Sequence, residues 1–225
     1  EQAGRCSQCG VPYCQVHCPL SNNIPDWLML TAEGRLEEAY EIASATNNFP
    51  EICGRICPQD RLCEGNCVIE KGFDSVTIGS VEKYITETAF EQGWVKPVKP
   101  VRERKESVGI IGGGPGGLAA AEQLRKRGYQ VHVYDRYDRI GGLMIYGIPN
   151  FKLEKDVVQR RTRVLEESGI HFHTGVDVTI VPHIDRVCTT GAQHSPDDDY
   201  YHHLASMEQI PSPGFSPYLG VVNQY

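Results

Sequence analysis

Eight of the nine cysteines in this chain of 225 residues fall between Cys6 and Cys67. Cysteine is the side chain here with the widest choice of chemistry. The first group reads Cys6-x2-Cys9-x4-Cys14-x3-Cys18-Pro19, and the second reads Cys53-x3-Cys57-Pro58-x4-Cys63-x3-Cys67. Three chemistries compete for such a pattern. Disulfides suit small secreted chains that lack a core. Structural zinc favours paired C-x2-C knuckles, and only one C-x2-C occurs here. Iron–sulfur clusters fit the spacing better. Bacterial ferredoxins place three cysteines close together for one cluster and follow them with a Cys-Pro whose thiolate serves the other. Cys6, Cys9 and Cys14 match the three-ligand run, Cys18-Pro19 the crossing ligand, and Cys57-Pro58 repeats that punctuation. Thiolates are soft anionic donors suited to iron. Cys53 and Cys188 are the two most simply read as small buried hydrophobes.

A second constellation lies past residue 107. Val108-Gly109-Ile110-Ile111 is a short apolar run that suits a buried parallel strand. Gly112-Gly113-Gly114-Pro115-Gly116-Gly117 follows directly, then Leu118 to Leu124 at helical spacing, then the strand Val131–Tyr134 with Asp135 at its end. A lone G-x-G-x-x-G says little, but between a strand and a helix, with an acid after the next strand, it points to a dinucleotide. In that pattern Gly112 makes the turn, Gly114 lets the backbone approach a pyrophosphate, and Gly117 lets helix and strand pack closely. The unpaired N–H groups of the helix start attract phosphate oxygens. Pro115 is tolerated in that first turn, and Asp135 would accept hydrogen bonds from ribose hydroxyls. Gly141-Gly142 allows another close backbone approach.

The elements that must position these residues follow from periodicity. Ser21 to Asp26 is a helix start with proline in the first turn, followed by Trp27, Leu28 and Leu30 and a break at Gly34. Leu36, Ala39, Tyr40 and Ala43 recur at helical spacing up to Asn47. A further helix is expected from about Ser80 to Gln92, with Val81, Tyr84, Ile85 and Ala89 on one face. The first domain therefore reads as helical over 1–92, followed by a charged, proline-bearing linker over 93–107. Residues 139–153 read as a loop, residues 153–168 as a helix with Val157, Val158, Val164 and Leu165 inward, and Ile170 to His173 as a strand whose two histidines are surface or satisfied residues. Composition sets outer bounds. Hydrophobic residues make up 40% and the net charge is −7, with a mean hydropathy of −0.36. That describes a globular chain with material for a core and argues against nucleic acid or an anionic membrane as partner. No apolar run is long enough to span a bilayer, and no leader is visible. The expected location is cytoplasmic.

The motifs together resemble one family of FAD- and iron–sulfur-containing pyridine-nucleotide oxidoreductases. It includes the small subunit of NADPH-dependent glutamate synthase, the large subunit of the NADH-dependent ferredoxin–NADP oxidoreductase, and the N-terminal half of dihydropyrimidine dehydrogenase. The stretches that carry the resemblance include Arg5-Cys6-Ser7-Gln8-Cys9-Gly10, Ala45-Thr46-Asn47-Asn48-Phe49-Pro50, Ile52-Cys53-Gly54-Arg55-Ile56-Cys57-Pro58, Cys63-Glu64-Gly65-Asn66-Cys67, Val76-Thr77-Ile78-Gly79 and Gly147-Ile148-Pro149-Asn150-Phe151-Lys152. The resemblance implies an α+β protein of two domains: a helical N-terminal domain with two 4Fe-4S clusters, then a Rossmann-like α/β domain for FAD over 108–175. It implies one cluster on Cys6, Cys9, Cys14 and Cys67, and a second on Cys18, Cys57 and Cys63 with Glu82 as its non-cysteine ligand. Cys53 and Cys188 are then spare. It implies FAD contacts at Gly114, Pro115, Gly116, Asp135, Gly142, Leu143 and Lys152. No side chain is implied as acid, base or nucleophile. NADPH is the implied electron donor and the glutamate synthase large subunit the implied partner.

Beyond residue 175 the resemblance fades. Asp197-Asp198-Asp199 and His202-His203 crowd a stretch, 176–225, expected to be divergent and irregular. A faint echo of the family's Ala-Thr-Gly turn remains at Thr189-Thr190-Gly191. The second nucleotide loop of the family is not found, and the FAD domain is expected to be truncated. The chain by itself is therefore expected not to oxidise NADPH at a useful rate. Stoichiometric bleaching of bound flavin by NADPH would refute this.

Overall fold

The computed structural model describes residues 1–178 and 220–222. Cys188, Thr189-Thr190-Gly191, the aspartate run and His202-His203 lie outside the described residues. The chain divides into two compact units, one of residues 1–96 with 150–157, the other of residues 97–149 with the chain from 158 onward.

The first unit is helical. A 3-10 turn at Ala3–Arg5 precedes α1 (Tyr13–Val16), α2 (Ile24–Ala32), α3 (Leu36–Thr46), α4 (Pro50–Ile56), α5 (Glu70–Phe73) and α6 (Ile78–Glu91). Pro25 and Pro50 each sit in a first helical turn, where a missing N–H costs nothing. The apolar stripes of α2, α3 and α6 meet in a core built on Trp27, Leu28, Ala39, Ala43, Val81 and Ile85, and Cys6, Cys14, Cys18, Cys63 and Cys67 pack against its edge. Asn22 fixes the α2–α3 joint. Its Oδ1 accepts the Trp27 indole N–H at 2.7 Å, and its Nδ2 donates to the Ala43 carbonyl at 2.7 Å. Such a buried pair is costly to break, because each abandoned group stays dry and unpaired. Tyr84, expected on the inner face of α6, is instead exposed; its hydroxyl makes the solvent side tolerable, and Val81, Ile85 and Ala89 suffice for the seam.

The second unit is a four-stranded parallel sheet in the order β3-β2-β1-β4: β1 is Ser107–Ile111, β2 Gln130–Asp135, β3 Ile170–Thr174 and β4 Gly220–Val222. Val108, Ile110, Val131 and Val133 are buried, as a covered parallel sheet requires. The crossover from β1 to β2 is α7 (Pro115–Lys126). Two shorter statements of the sequence need revision. The stretch read as a loop contains α8 (Leu143–Tyr146), a single turn too short to register as periodicity. In α9 (Lys155–Glu167), Val157, Val158 and Leu165 are buried while Val164 is only half-buried. His173 stacks on Tyr134, and its Nε2 lies 3.1 Å from His132 Nδ1, so it is a satisfied residue, while His171 is exposed. Among the described residues no helix is long and apolar enough to cross a membrane.

Within the first unit, α4 and α6 touch backbone to backbone. A Cβ on Gly54 would lie 2.7 Å from Lys83 N and 2.9 Å from Gly79 O. Neither backbone atom can step aside without separating the helices. Gly54→Ala should lower the unfolding free energy of the full chain by roughly 2 kcal/mol, as overpacking does, measured by urea denaturation. An unchanged midpoint would contradict the tight crossing.

Candidate cofactor sites

The cysteines gather in two places in the first unit. Cys6, Cys9, Cys14 and Cys67 line one cavity with about 370 Å³ of space, part of it open to solvent, walled by Pro12, Pro25, Leu28, Val76 and Ile78. The C-x2-C loop reaches it because Gln8 takes a left-handed backbone (φ 49°), uncommon for a non-glycine residue. The Gln8 amide holds that turn, donating to the Pro25 carbonyl at 2.9 Å and to Cys6 Sγ at 3.4 Å. Cys67 arrives from far along the chain. Arg5 fastens the two ends, donating to the carbonyls of Phe73, Asp74 (2.8 Å) and Ser75 (3.2 Å) just past α5. Burial pushes the Cys14 thiol up to about 11 and raises Cys6, and the neighbouring sulfurs add to both.

Cys18, Cys57, Cys63 and Glu82 form the second group. Cys57 and Cys63 each face Glu82 and Cys18 closely enough for charge on one to be felt by the others. Burial pushes the Cys63 thiol up to about 12 and holds the Glu82 carboxyl well above the usual range. Three local arrangements assemble this group. Cys57 caps α4. The Gly54 crossing lays α4 on α6, which carries Glu82. Glu64 Oε1 accepts the Gly79 N–H at 2.9 Å, which ties the Cys63 segment to the start of α6. That N–H is one of the orphan donors of a helix first turn, so the carboxylate satisfies it and complements the dipole.

Both groups suit iron–sulfur clusters. Several soft anionic donors in a poorly solvated space repel one another and need a cationic partner. Among the described residues no three His, Cys, Asp or Glu side chains come close enough to share a single metal ion.

Two residues at the second group were not legible from motif spacing. Cys53, read as spare, is a half-buried thiol beside Cys57 whose interaction with it raises Cys53 and lowers Cys57. Asn47, read only as a helix end, donates from Nδ2 to Glu82 Oε1 at 3.1 Å. The one available signal was the Asn47-Asn48-Phe49-Pro50 stretch between two helices.

In the second unit the glycine loop joins β1 to α7. Gly112 turns at φ 99°. A Cβ on Gly117 would sit 2.0 Å from the Gly112 carbonyl oxygen, so only hydrogen fits. Gly114 is the N-cap residue, and Pro115, Gly116 and Gly117 form the first turn of α7, whose N–H groups have no intrahelical acceptor. Gly141 N–H donates to Gly113 O at 2.8 Å, which brings Gly142 and the exposed Leu143 beside the loop. Asp135 is buried. Its Oδ2 accepts the Gly113 N–H at 2.6 Å and its Oδ1 the Tyr137 N–H at 2.9 Å. Each carboxylate oxygen keeps a further lone pair for a ligand hydroxyl, so the acid both shapes the loop and stays able to accept. Lys152 is exposed and lies in the 150–157 segment grouped with the first unit.

Gly117→Ala should abolish flavin retention without unfolding the chain. The measurement is the bound FAD per chain after gel filtration, with circular dichroism as the control. Retained stoichiometric FAD would contradict the cradle.

Comparison with known proteins matches a segment in each unit. Residues 1–94 match the family described as dihydropyrimidine dehydrogenase domain II, 4Fe-4S cluster, and residues 110–149 match the NAD(P)-binding Rossmann-like domain. The glutamate synthase (NADPH) small chain of Azospirillum brasilense is 72% identical over 179 residues, covering 79% of this chain and 37% of that protein. That of Escherichia coli is 50% identical over 177 residues, covering 79% and 38%. That of Bacillus subtilis is 43% identical over 213 residues, covering 87% and 43%. The chain thus spans less than half the length of these relatives. The chain is similar to these glutamate synthase small chains, and carries a segment matching the dihydropyrimidine dehydrogenase domain II 4Fe-4S family followed by one matching the NAD(P)-binding Rossmann-like domain.

Proposed function

We propose that this chain is the electron-transfer part of an FAD- and iron–sulfur-containing oxidoreductase, passing electrons from NADPH toward a glutamate-forming partner, the glutamate synthase large subunit. The observation that carries the reading is the convergence of two separate donor groups on one helical unit, in a chain similar over 79% of its length to glutamate synthase small chains.

In this reading residues 1–92 form the iron–sulfur domain, 93–107 the linker, and 108–175 the first part of the FAD domain. Cys6, Cys9, Cys14 and Cys67 hold one 4Fe-4S cluster, and Cys18, Cys57, Cys63 and Glu82 the other. When bound, flavin and clusters supply the exchange between two-electron and one-electron chemistry that side chains lack. The protein binds, orients and tunes. Half-buried cysteines limit the solvent that reaches the clusters, and a carboxylate at the second site is a harder donor than sulfur, which sets the two sites apart in potential. The α7 N–H groups hold the pyrophosphate, Asp135 the ribose, and Gly142, Leu143 and Lys152 complete the FAD contacts. No acid or base is required of any side chain. A cytoplasmic location belongs to the same reading, because these thiols must stay reduced until iron binds. No nucleic acid or membrane is involved.

The test is metal content. Anaerobically purified or reconstituted full chain should be brown and carry about eight iron atoms per chain, as two four-iron clusters require. A colourless protein that retains only zinc would overturn the reading in favour of a zinc-bound interaction module.

A further inference from the structure

We propose that Asn47 is a positioning residue for the second donor group: by holding Glu82 Oε1 it leaves Oε2 as the one oxygen offered to iron. The inference rests on the reading that Glu82 is a cluster ligand, and it adds how a flexible carboxylate is made into a single-point donor.

Asn47 is the residue after α3 and is almost fully buried, at 4% exposure. A buried primary amide must place both of its ends. Here the neighbours decide which end goes where. The Phe49 backbone N–H, a donor only, lies 3.0 Å from Oδ1. The Cys53 thiol lies on the same side, its Sγ 3.7 Å from Oδ1. The oxygen is therefore committed to the start of α4, and Nδ2 is directed at α6, 3.1 Å from Glu82 Oε1. The amide NH2 can only donate and Glu82 Oε1 accepts it, so donor meets acceptor.

Cysteine reaches iron through a short side chain. Glutamate has more rotatable bonds and two equivalent oxygens, so it can swing, bind through both, or leave. Outer partners that hydrogen-bond a metal-ligating carboxylate restrict this freedom. Asn47, at the end of α3, restrains Glu82 on α6. It is itself anchored to α4, the helix that delivers Cys57. One amide thus fixes the spacing between a sulfur ligand and the oxygen ligand of the same group. Cys53, whose thiol donates to the Asn47 oxygen at 3.7 Å, stands beside this contact without serving as a ligand.

The test uses the anaerobically loaded full chain. Iron release to a ferrous chelator is followed with time, and the electron paramagnetic resonance signals of the reduced clusters are recorded. Asn47→Asp keeps an oxygen for the Phe49 N–H and withdraws the donor to Glu82; Asn47→Ala removes both. Glu82→Ala should speed release from one cluster and change one signal. Each Asn47 variant should speed that same phase roughly ten-fold, the usual scale for an outer-shell partner. The Cys6-side phase should stay unaltered. In a Glu82→Ala background, Asn47→Asp should add nothing, because the two changes remove one interaction. Wild-type release in N47D, with E82A altered, overturns the proposal and leaves the ligand reading standing. Equal acceleration in the E82A background, or failure of both Asn47 variants to fold there, shows a role only in the α3–α4 turn and also overturns it. Unaltered release and signals in E82A remove the ligand reading and the proposal together.

Discussion

Everything in the first unit depends on bringing Cys67 to Cys6, Cys9 and Cys14. Sulfur donors taken out of water resist ionising and repel one another once charged; burial first, and the neighbouring sulfurs second, raise the Cys6 and Cys14 thiols. Such a group does not assemble through its own attraction. The scaffold must hold it against that repulsion until a cation binds. The core under the cavity, the left-handed Gln8 turn and the Arg5 clasp onto the end of α5 all act to that end. Each adds a modest hydrogen bond or a patch of buried apolar surface. Together they fix a position that sequence separation would otherwise leave to chance.

The same logic shapes the second donor group and the glycine loop. In each, two backbone segments come closer than a side chain would allow: α4 on α6 at Gly54, and the start of α7 on the β1 turn at Gly117. Close approach is what turns a backbone into a ligand-binding device. At Gly117 it exposes helix N–H groups toward a phosphate. At Gly54 it places Cys57 beside Glu82. Carboxylates then secure the geometry from behind, Asp135 through the Gly113 N–H and Glu64 through the Gly79 N–H. An acid on a free N–H satisfies a donor that would otherwise be stranded.

Much of this was legible in the chain itself. The helices α2, α3, α6, α7 and α9 and the strands β1, β2 and β3 follow from apolar periodicity, because each buries one face and exposes the other. The glycine loop was legible because its backbone demands are met only by particular residues. Short elements were not. A helix of one turn, such as α8, has no period to detect. Tyr84 sits at a helical core position in the sequence yet faces solvent, since three smaller residues already fill the seam. The parallel pairing of β4 with β1 is likewise beyond pattern reading, as it joins residues over a hundred positions apart.

By itself the sequence determined the kinds of chemistry present: soft sulfur donors in two groups, a loop made for phosphate, and an acid after the second strand. These are properties of residue type and local spacing, which survive without a fold. Residue spacing left open which donors share a space, a grouping the family resemblance implied and the tertiary structure accounts for physically. Cys67 joins the first group rather than its neighbours Cys57 and Cys63, and Asn47 and Cys53 stand beside Glu82. That choice is made by helix crossings and by single buried hydrogen bonds between residues far apart in the chain, and no local pattern encodes a contact whose partner is elsewhere.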